Sequence, residues 1–494
     1  MLVHARYLVS SFHVILRAPP EILSEICSHF TTEEDVFSAS QVCRYWRSAL
    51  ISSPSLWTRL PCRRVQRTIT SLERCRSMPI RLSLDPRTSI VALENALLHG
   101  SKIASLAIHH DVNRTNPLHK LPPLQIPPVE RLHLYSCGPR GREDEEWTGG
   151  ILQDLSPLRE LFVRQLPDPF GKFTAPNLIH LALENGEMGR GVTIRSILDM
   201  LRGCPLLETI LIVYSHDLVG KTALQYSPVS LPNLRSIELG GYEVLCGLIT
   251  SLRFPPTVAA GFRALGGYNV CSDDVPQAVM DSSRHVLEGM DIQTVILAVA
   301  FRGGGCLWAL VRFEGVDGSL EITLQSWSME QERIFCGTGV LFSLTPRLSN
   351  VKELRLTGCC VDDVSHLVTA MPNLTSICLF DCGWYEGDGV FGLICPSDCH
   401  LSPPFPHLER LTVLEPGPGL ISVVQRRKES GAPLKTIVIG PNPRLYTSEQ
   451  IRELRELVDD LRVEIPPDIS EWSIGNRILN RWSETGIPGP VSPT

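Results

Sequence analysis

The sequence predicts an α/β protein in which a short N-terminal helical module precedes a long, irregular solenoid of strand–turn–helix repeats with a parallel, curved sheet. Two observations predict this architecture. Apolar residues recur at helical spacing between Pro20 and Leu50. Beyond residue 75, a proline followed after at most one residue by aliphatic–x–x–aliphatic–x–aliphatic occurs eight times. Consecutive copies lie about 20–34 residues apart, which is the interval of a solenoid repeat.

The N-terminal module contains two or three short helices. The first begins at Pro20, whose missing N–H costs nothing in the first turn of a helix, and its apolar stripe comprises Ile22, Leu23, Ile26 and Phe30. Thr32, with Asp35 three residues later, is a capping signal for a second helix. Helical spacing continues to Leu50 and stops before Pro54. A unit of about 40 residues buries too little apolar surface alone, so it packs on the following domain, on a partner, or on both.

Three sequence blocks of this module resemble the F-box motif in order and spacing. They are Pro19, Glu21, Ile22, Leu23 and Ile26, then Val42, Cys43, Trp46 and Arg47, then Pro54, Leu56 and Trp57. The resemblance covers residues 18–60, and Ala18 stands where the family usually has leucine. F-box proteins dock this module on the Skp-type adaptor of SCF-type cullin–RING ubiquitin ligases.

The resemblance implies that a set of module residues contacts the adaptor. The set comprises Pro19, Pro20, Glu21, Ile22, Leu23, Ile26, Val42, Cys43, Trp46, Leu56 and Trp57. Two roles remain open for the tryptophans at this point, because they can form the core of the module or part of the interface.

The recurring proline–aliphatic sequence motif resembles the strand segment of leucine-rich repeats. Its prolines are Pro128, Pro157, Pro176, Pro205, Pro232, Pro372, Pro406 and Pro433. Cys137, Cys359 and Cys382 follow three of the strands at the position where that family has an inward-turned Asn or Cys. The resemblance therefore implies a structural role for these three cysteines rather than a metal or redox role. The combination of an F-box with these repeats resembles the large F-box families of mushroom-forming fungi.

Helices are predicted between the repeat strands. One apolar stripe comprises Ile194, Ile197, Leu198 and Leu201, and another comprises Leu367, Val368 and Met371. The proline–aliphatic motif does not occur between residues 240 and 348, although residues 294–301 and 319–327 still have strand patterns. Degenerate repeats are the preferred interpretation of this region, and a small insertion is the alternative.

These patterns predict five segments. Residues 1–17 are expected to be poorly ordered, residues 18–60 form the helical module, and residues 75–446 form the repeat array. Residues 447–465 form a capping helix, with Ile451, Leu454, Val458 and Leu461 on one face. Residues 485–494 are rich in Pro, Gly and Ser and are expected to be disordered.

Composition and sequence motifs argue against several classes of function. A net charge of −7 gives no general attraction to nucleic acid or an anionic membrane, and no apolar run reaches the length of a membrane span. The sixteen cysteines are too dilute for a disulfide scaffold. Cys395, Cys399 and His400 lack a second ligand pair for zinc. No catalytic motif is present, so we expect no enzyme activity, no cofactor and no bound metal, and a cytoplasmic or nuclear location.

The sequence therefore predicts an adaptor that binds a protein target on the inner face of its sheet. The candidate target-binding residues are His133, Tyr135, Phe162, Arg164, Glu184, Glu238, Arg355 and Phe380, with Leu211, Val213 and Thr412 at equivalent strand positions. Taken with the F-box resemblance, this implies a substrate-recognition subunit of an SCF-type ligase, with Skp, cullin and an unknown protein substrate as partners. The alternatives are a non-ligase F-box scaffold and an enzyme with a site in residues 240–348.

Overall fold

The structure is a computed structural model. It describes residues 18–30, 32–85, 87–99, 103–111, 129–137, 155–164, 174–185, 193–214, 226–241, 243–265, 283, 286–287, 290–302, 306–316, 318–326, 345–357, 370–380, 394–395, 405–414, 419–440 and 446–463. N-terminal helices are followed by strands that pair mostly in parallel, so the mixed α/β class is confirmed. The chain divides into two compact units, Met1–Leu234 with Ser251–Phe254, and Arg235–Thr250 with Pro255–Thr494.

The N-terminal module is helical, as predicted. Its elements are α1 (Pro20–Ser28), α2 (Glu33–Ala39), α3 (Arg44–Ile51) and a 3-10 turn (Pro54–Trp57). The Thr32 cap is confirmed, because its Oγ1 accepts the backbone N–H of Asp35 at 3.2 Å. Trp57 folds back onto α3, since its Nε1–H donates to the Leu50 carbonyl at 2.8 Å.

A short strand and a helix fasten the module to the sheet of the first unit. The chain continues through β1 (Arg59–Leu60), α4 (Val65–Cys75), β2 (Ile80–Leu84) and α5 (Ile90–Leu97). β1 pairs in parallel with β2, so the sheet begins directly where the module ends. α4 packs on the module, with the Arg74 Cζ 4.2 Å from the Trp57 ring centroid and the Arg67 Cζ 5.1 Å from that of Phe37. The module therefore packs on its neighbouring domain.

After β2, the described part of the first unit's sheet continues with five more parallel strands. They are β3 (Ile103–Asp111), β4 (Arg131–Cys137), β5 (Glu160–Arg164), β6 (His180–Asn185) and β7 (Thr209–Tyr214), each paired with the next. One face of this sheet carries buried aliphatic side chains in register, among them Leu132, Leu161 and Leu181. Helix α6 (Ile194–Arg202) buries the predicted stripe of Ile194, Ile197, Leu198 and Leu201. A two-stranded parallel ladder, Leu252–Arg253 with Val229–Ser230, belongs to the same unit.

An asparagine secures the opening turn of a repeat strand wherever the sequence reads Pro-Asn-Leu. Asn177, Asn233 and Asn373 donate their side-chain N–H groups to the carbonyls of Ser156, Pro205 and Ser349, at 2.6, 3.1 and 2.8 Å respectively. Each of these carbonyls lies in the opening turn of the preceding strand. The asparagine therefore links successive turns and satisfies a backbone acceptor that the strand ladder does not reach.

The second unit has strands β8 (Ser236–Gly240), β9 (Ala259–Leu265), β10 (Ile292–Arg302), β11 (Cys306–Gly315), β12 (Ser319–Ser326), β13 (Glu353–Thr357), β14 (Ser376–Phe380), β15 (Arg410–Val413), β16 (Thr436–Ile439) and β17 (Asp460–Val463). They pair in the order β8–β9–β12–β11–β10–β13–β14–β15–β16–β17. Its helices are α7 (Glu243–Ser251), α8 (Leu420–Glu429) and α9 (Ser448–Leu457), with a 3-10 turn at Thr345–Asn350.

The preferred interpretation of residues 240–348 as degenerate repeats is wrong for its central strands. β11 runs antiparallel to both β10 and β12, whereas every other strand pair of this unit is parallel. Antiparallel neighbours need only a short connection, and three residues of sequence separate the end of β10 at Arg302 from the start of β11 at Cys306. This part of the chain is therefore an inserted antiparallel segment, the alternative that the sequence left open.

The predicted C-terminal capping helix is shorter than expected. α9 ends at Leu457, and Val458 is already extended. Leu461 lies in β17, which pairs in parallel with β16. Alternate Leu461 and Val463 match the two-residue period of a strand, and this pairing outweighs the helical spacing. The last described element is thus a strand.

Other predictions fall outside the described residues. They concern residues 1–17, residues 485–494, Cys359, Cys382, Leu367, Val368 and the side chain of Cys137. Within the described part of the chain, no helix is both long and apolar enough to cross a membrane.

Candidate protein-binding surfaces

The first helix exposes aliphatic side chains to solvent. We define the N-terminal apolar patch as Ile22, Ile26, Val42 and Tyr45. Ile22 is 52% exposed, Ile26 48% and Val42 49%, although large aliphatic side chains are usually among the most buried. Ile22 and Ile26 lie one turn apart on α1, whereas Leu23, which follows Ile22 in the chain, is fully buried. The patch is therefore an apolar helix face that the module itself does not cover.

Tyr45 ties the two helices of this patch together. Its hydroxyl donates to the Ala18 carbonyl at 2.7 Å, directly ahead of Pro19 and Pro20. The start of α3 is consequently held beside the start of α1. Cys43 begins α3, because its Sγ accepts the backbone N–H of Trp46 at 3.4 Å.

The structure divides the predicted adaptor-contacting residues into three groups. Pro19, Pro20, Glu21, Ile22, Ile26 and Val42 are exposed, Cys43, Trp46 and Leu56 are half-buried, and Leu23 and Trp57 are buried. The prediction that Leu23 and Trp57 offer surface contacts is wrong, because both side chains form the interior of the module. Trp57 lies against the Phe37 ring, with centroids 5.1 Å apart. Of the two roles left open for this tryptophan, it has the core role.

The second surface is the open face of the first sheet, opposite its buried aliphatic rows. The parallel register places His133 beside Phe162, and Tyr135 beside Arg164, which is in turn beside Glu184. Residues paired in this way project to the same face of a sheet. The structure therefore brings together five of the eight predicted target-binding residues.

Four rings on this face form what we call the aromatic cluster, namely His109, His133, Tyr135 and Phe162. His109 and Tyr135 are stacked, with centroids 4.5 Å apart and planes 3° from parallel. Phe162 lies 5.1 Å from Tyr135 and 5.9 Å from His133. His109 is not among the target-binding residues predicted from the sequence. The missed signal is its register, since His109 pairs with Tyr135 directly.

Charged groups surround the aromatic cluster. Glu160 Oε1 lies 3.2 Å from His133 Nε2, and this hydrogen bond lowers the pKa of the Glu160 carboxyl. Burial raises the pKa of Tyr135, and the nearby Glu184 carboxylate raises it further. Burial also lowers the pKa of His109. At neutral pH, His109 is therefore uncharged and Glu160 is ionised.

Two predicted contact residues form the floor of the cluster rather than its surface. Phe162 is only 3% exposed, and Glu184 is also buried. Glu184 Oε2 lies 3.8 Å from Arg164 Nε, so an ion pair links the buried floor to the more exposed Arg164. A partner on this face meets His133, Tyr135 and Arg164 first, because these side chains keep part of their surface in solvent.

The other predicted face residues lie in the second unit or farther along the first sheet. Glu238 is bound to Arg263 at 2.6 Å, and Arg355 to Glu353 at 2.8 Å. The remaining ones are Leu211, Val213 and Phe380, which are half-buried, and Thr412, which is buried. Among the described residues of the second unit, this face therefore carries charged groups in local pairs.

Among the described residues, no group of three or more His, Cys, Asp or Glu side chains is placed to hold a metal ion. Cys395 is buried, while Cys399 and His400 lie outside the described residues.

Comparison with known families identifies the N-terminal module. Residues 16–63 match the family model of the F-box-like domain, and the predicted boundaries of 18–60 fall within this match. F-box domains generally bind Skp-type adaptors. No curated protein sequence matches the chain.

Proposed function

We propose that this chain, whose residues 16–63 form an F-box-like domain, is a substrate-recognition adaptor of an SCF-type cullin–RING ubiquitin ligase. The observation that carries the proposal is the N-terminal apolar patch, where Ile22 and Ile26 stay about half exposed on the helix that follows Pro19. An apolar helix face without a partner in its own domain suits a helix-packing interface. The docked partner is the Skp-type adaptor, and the cullin joins through it.

The target-binding part of the proposal rests on the open face of the first unit. We propose that the strands are divergent leucine-rich repeats and that the aromatic cluster with Arg164 contacts a protein target. Aromatic and arginine side chains dominate the binding energy of many protein interfaces. The proposed mechanism is proximity, because a target held near the activated ubiquitin reacts at a high effective concentration. The chain itself then contributes no catalytic group and works in the cytoplasm or nucleus.

The docking proposal is tested by charge substitutions in the patch. The Ile22→Asp and Ile26→Asp double variant is expected to weaken the affinity for a recombinant Skp-type adaptor at least tenfold. Burying these side chains contributes about 1 kcal/mol or more each, and a carboxylate in their place is penalised by desolvation. The dissociation constants of the variant and parent chains, measured by calorimetry, give the comparison.

Val91→Asp is the matched control, since Val91 on α5 is also 52% exposed and lies outside the F-box-like domain. This variant should bind the adaptor like the parent chain. Equal affinity of the double variant and the parent would refute docking through the patch. Recovery of the adaptor without cullin, from cells that express both, would favour a non-ligase scaffold.

A further inference from the structure

A row of arginines crosses the first four strands of the first unit. In the parallel register, Arg59 pairs with Arg81, Arg81 with Ser105, and Ser105 with Arg131. Residues in one such row project to the same face of the sheet, at steps of about 4.8 Å from strand to strand. The row therefore places three arginine side chains on one face of the sheet, with the small Ser105 side chain between Arg81 and Arg131.

The same three arginines line a cleft between the F-box-like domain and the sheet. The cleft has a volume of about 290 Å³, and its apolar lining includes Phe30, Val36 and Met78. This volume lies just below the roughly 300–1,000 Å³ of sites for drug-sized ligands. The cleft therefore accommodates a small group between apolar side chains and the positive charges of the sheet.

Glu33 is the one carboxylate among the described lining residues, and it is already engaged. Its Oε1 accepts the hydroxyl of Ser71 at 3.1 Å. The lining therefore carries three positive charges against one negative charge. Glu160 follows Arg131 in the row, but its carboxylate lies against His133.

None of the three arginines forms an ion pair within the described residues. Arg59 donates to a neutral acceptor, the Phe30 carbonyl, at 3.1 Å. The Nε of Arg131 is buried without a hydrogen-bond partner in the described part of the chain. Burial lowers the pKa of Arg81, and the charges of Arg131 and Arg59 lower it further. The Glu160 carboxylate acts in the opposite direction on this pKa, so the positive charge gathered in the cleft is only partly neutralised.

We propose that this cleft is a binding site for a phosphate monoester. Guanidinium groups form paired hydrogen bonds to phosphate oxygens. A phosphate monoester carries a charge of about −1.5 to −2 at pH 7, which balances the excess positive charge of the lining. An oxyanion would also supply the acceptor that Arg131 lacks. This site is separate from the N-terminal apolar patch and does not rest on the proposed ligase function.

A phosphate monoester can come from a free small molecule or from a phosphorylated side chain of a protein. Two probes distinguish these sources in calorimetric titrations of the full chain at constant ionic strength. They are inorganic phosphate, as the smallest anion of this charge, and a short phosphoserine peptide, with its unphosphorylated form as control. Comparable affinity for both probes indicates a free anion, whereas tighter peptide binding indicates a phosphorylated protein segment.

Arg81→Gln and Arg131→Gln are each expected to weaken binding of the preferred probe at least tenfold. Arg195→Gln, on the exposed side of α6, is the matched control and should bind like the parent chain. Thermal unfolding reports whether either substitution perturbs the fold. Because Arg81 is exposed, Arg81→Gln still tests the site if Arg131→Gln destabilises the protein. The proposal is overturned if neither probe binds more tightly than chloride, or if Arg81→Gln binds like the parent.

Discussion

Arg427 is a fully buried cation whose role the sequence concealed within the basic run Arg426–Lys428. Its guanidinium donates to the carbonyls of Ile394 at 2.9 Å and Phe405 at 2.8 Å. Burial lowers the pKa of this group, since a charge in the interior is disfavoured. Hydrogen bonds to these two carbonyls compensate for that penalty, so Arg427 holds two separate chain segments onto α8.

Arg427→Met is expected to destabilise the protein by about 2 kcal/mol. Each hydrogen bond lost from the charged guanidinium costs about 1.5–3 kcal/mol, and removing the desolvation penalty of a buried charge offsets part of this loss. The urea midpoint of the unfolding transition measures the change. Arg426→Met is the control, because Arg426 Nε makes only a long 3.4 Å contact within its own helix. Equal midpoints for the two variants would contradict this role.

At the scale of elements, the opening turns behave as a repeated structural unit. Asn177→Ala and Asn373→Ala are each expected to cost about 1 kcal/mol, because each variant loses one hydrogen bond to a backbone carbonyl. Thermal unfolding of the two single variants, followed by circular dichroism, measures the loss.

His407 supplies the matched control for these turns. It follows Pro406 as Asn373 follows Pro372, and it is exposed. Its side chain makes no hydrogen bond within the described residues. His407→Ala should therefore change stability by much less than either asparagine variant. A similar loss in all three variants would show that the turn position, rather than the asparagine bond, determines the effect.

Helical and strand periods made many of these elements predictable. The helix predicted from the stripe between Ile194 and Leu201 is confirmed, because four buried positions at a helical period do not fit the alternating pattern of a strand. Residues 294–301 read correctly as a strand, but an apolar run contains no information about strand direction, so the antiparallel β11 was missed. Leu461 fits both a helix face and a strand, and only its pairing partner Ile437 decides between them.

The candidate surfaces were less predictable than the elements. Ile22 and Leu23 are adjacent and chemically similar, yet one is half exposed and the other buried, since helix packing separates them. The three cleft arginines lie on β1, β2 and β4, and their proximity depends on strand register. A sequence pattern identifies residue types, but strand pairing determines which residues from distant parts of the sequence lie close together.

At the scale of the whole molecule, the F-box-like domain is completed by the chain that follows it. The family match ends at residue 63, while α4, which begins at Val65, supplies the arginine that lies over Trp57. The Thr58 carbonyl accepts the backbone N–H of Arg81 at 2.8 Å. Domain and sheet therefore share one packed interior within the first unit, and the domain is held at a fixed position on its strands.

This shared interior predicts that residues 16–63 alone fold poorly. Without α4, Trp57 loses its covering side chain and gains contact with water, which costs part of the burial energy of a large aromatic ring. The isolated fragment 16–63 should show a red-shifted tryptophan emission and less helical circular dichroism per residue than fragment 16–99, which retains α4, β2 and α5. Both fragments carry Trp46→Phe, so that Trp57 is the one tryptophan left in each and their difference in emission reports on it. Identical emission and equal unfolding midpoints for the two fragments would show that the domain is independent of the strands on which it packs.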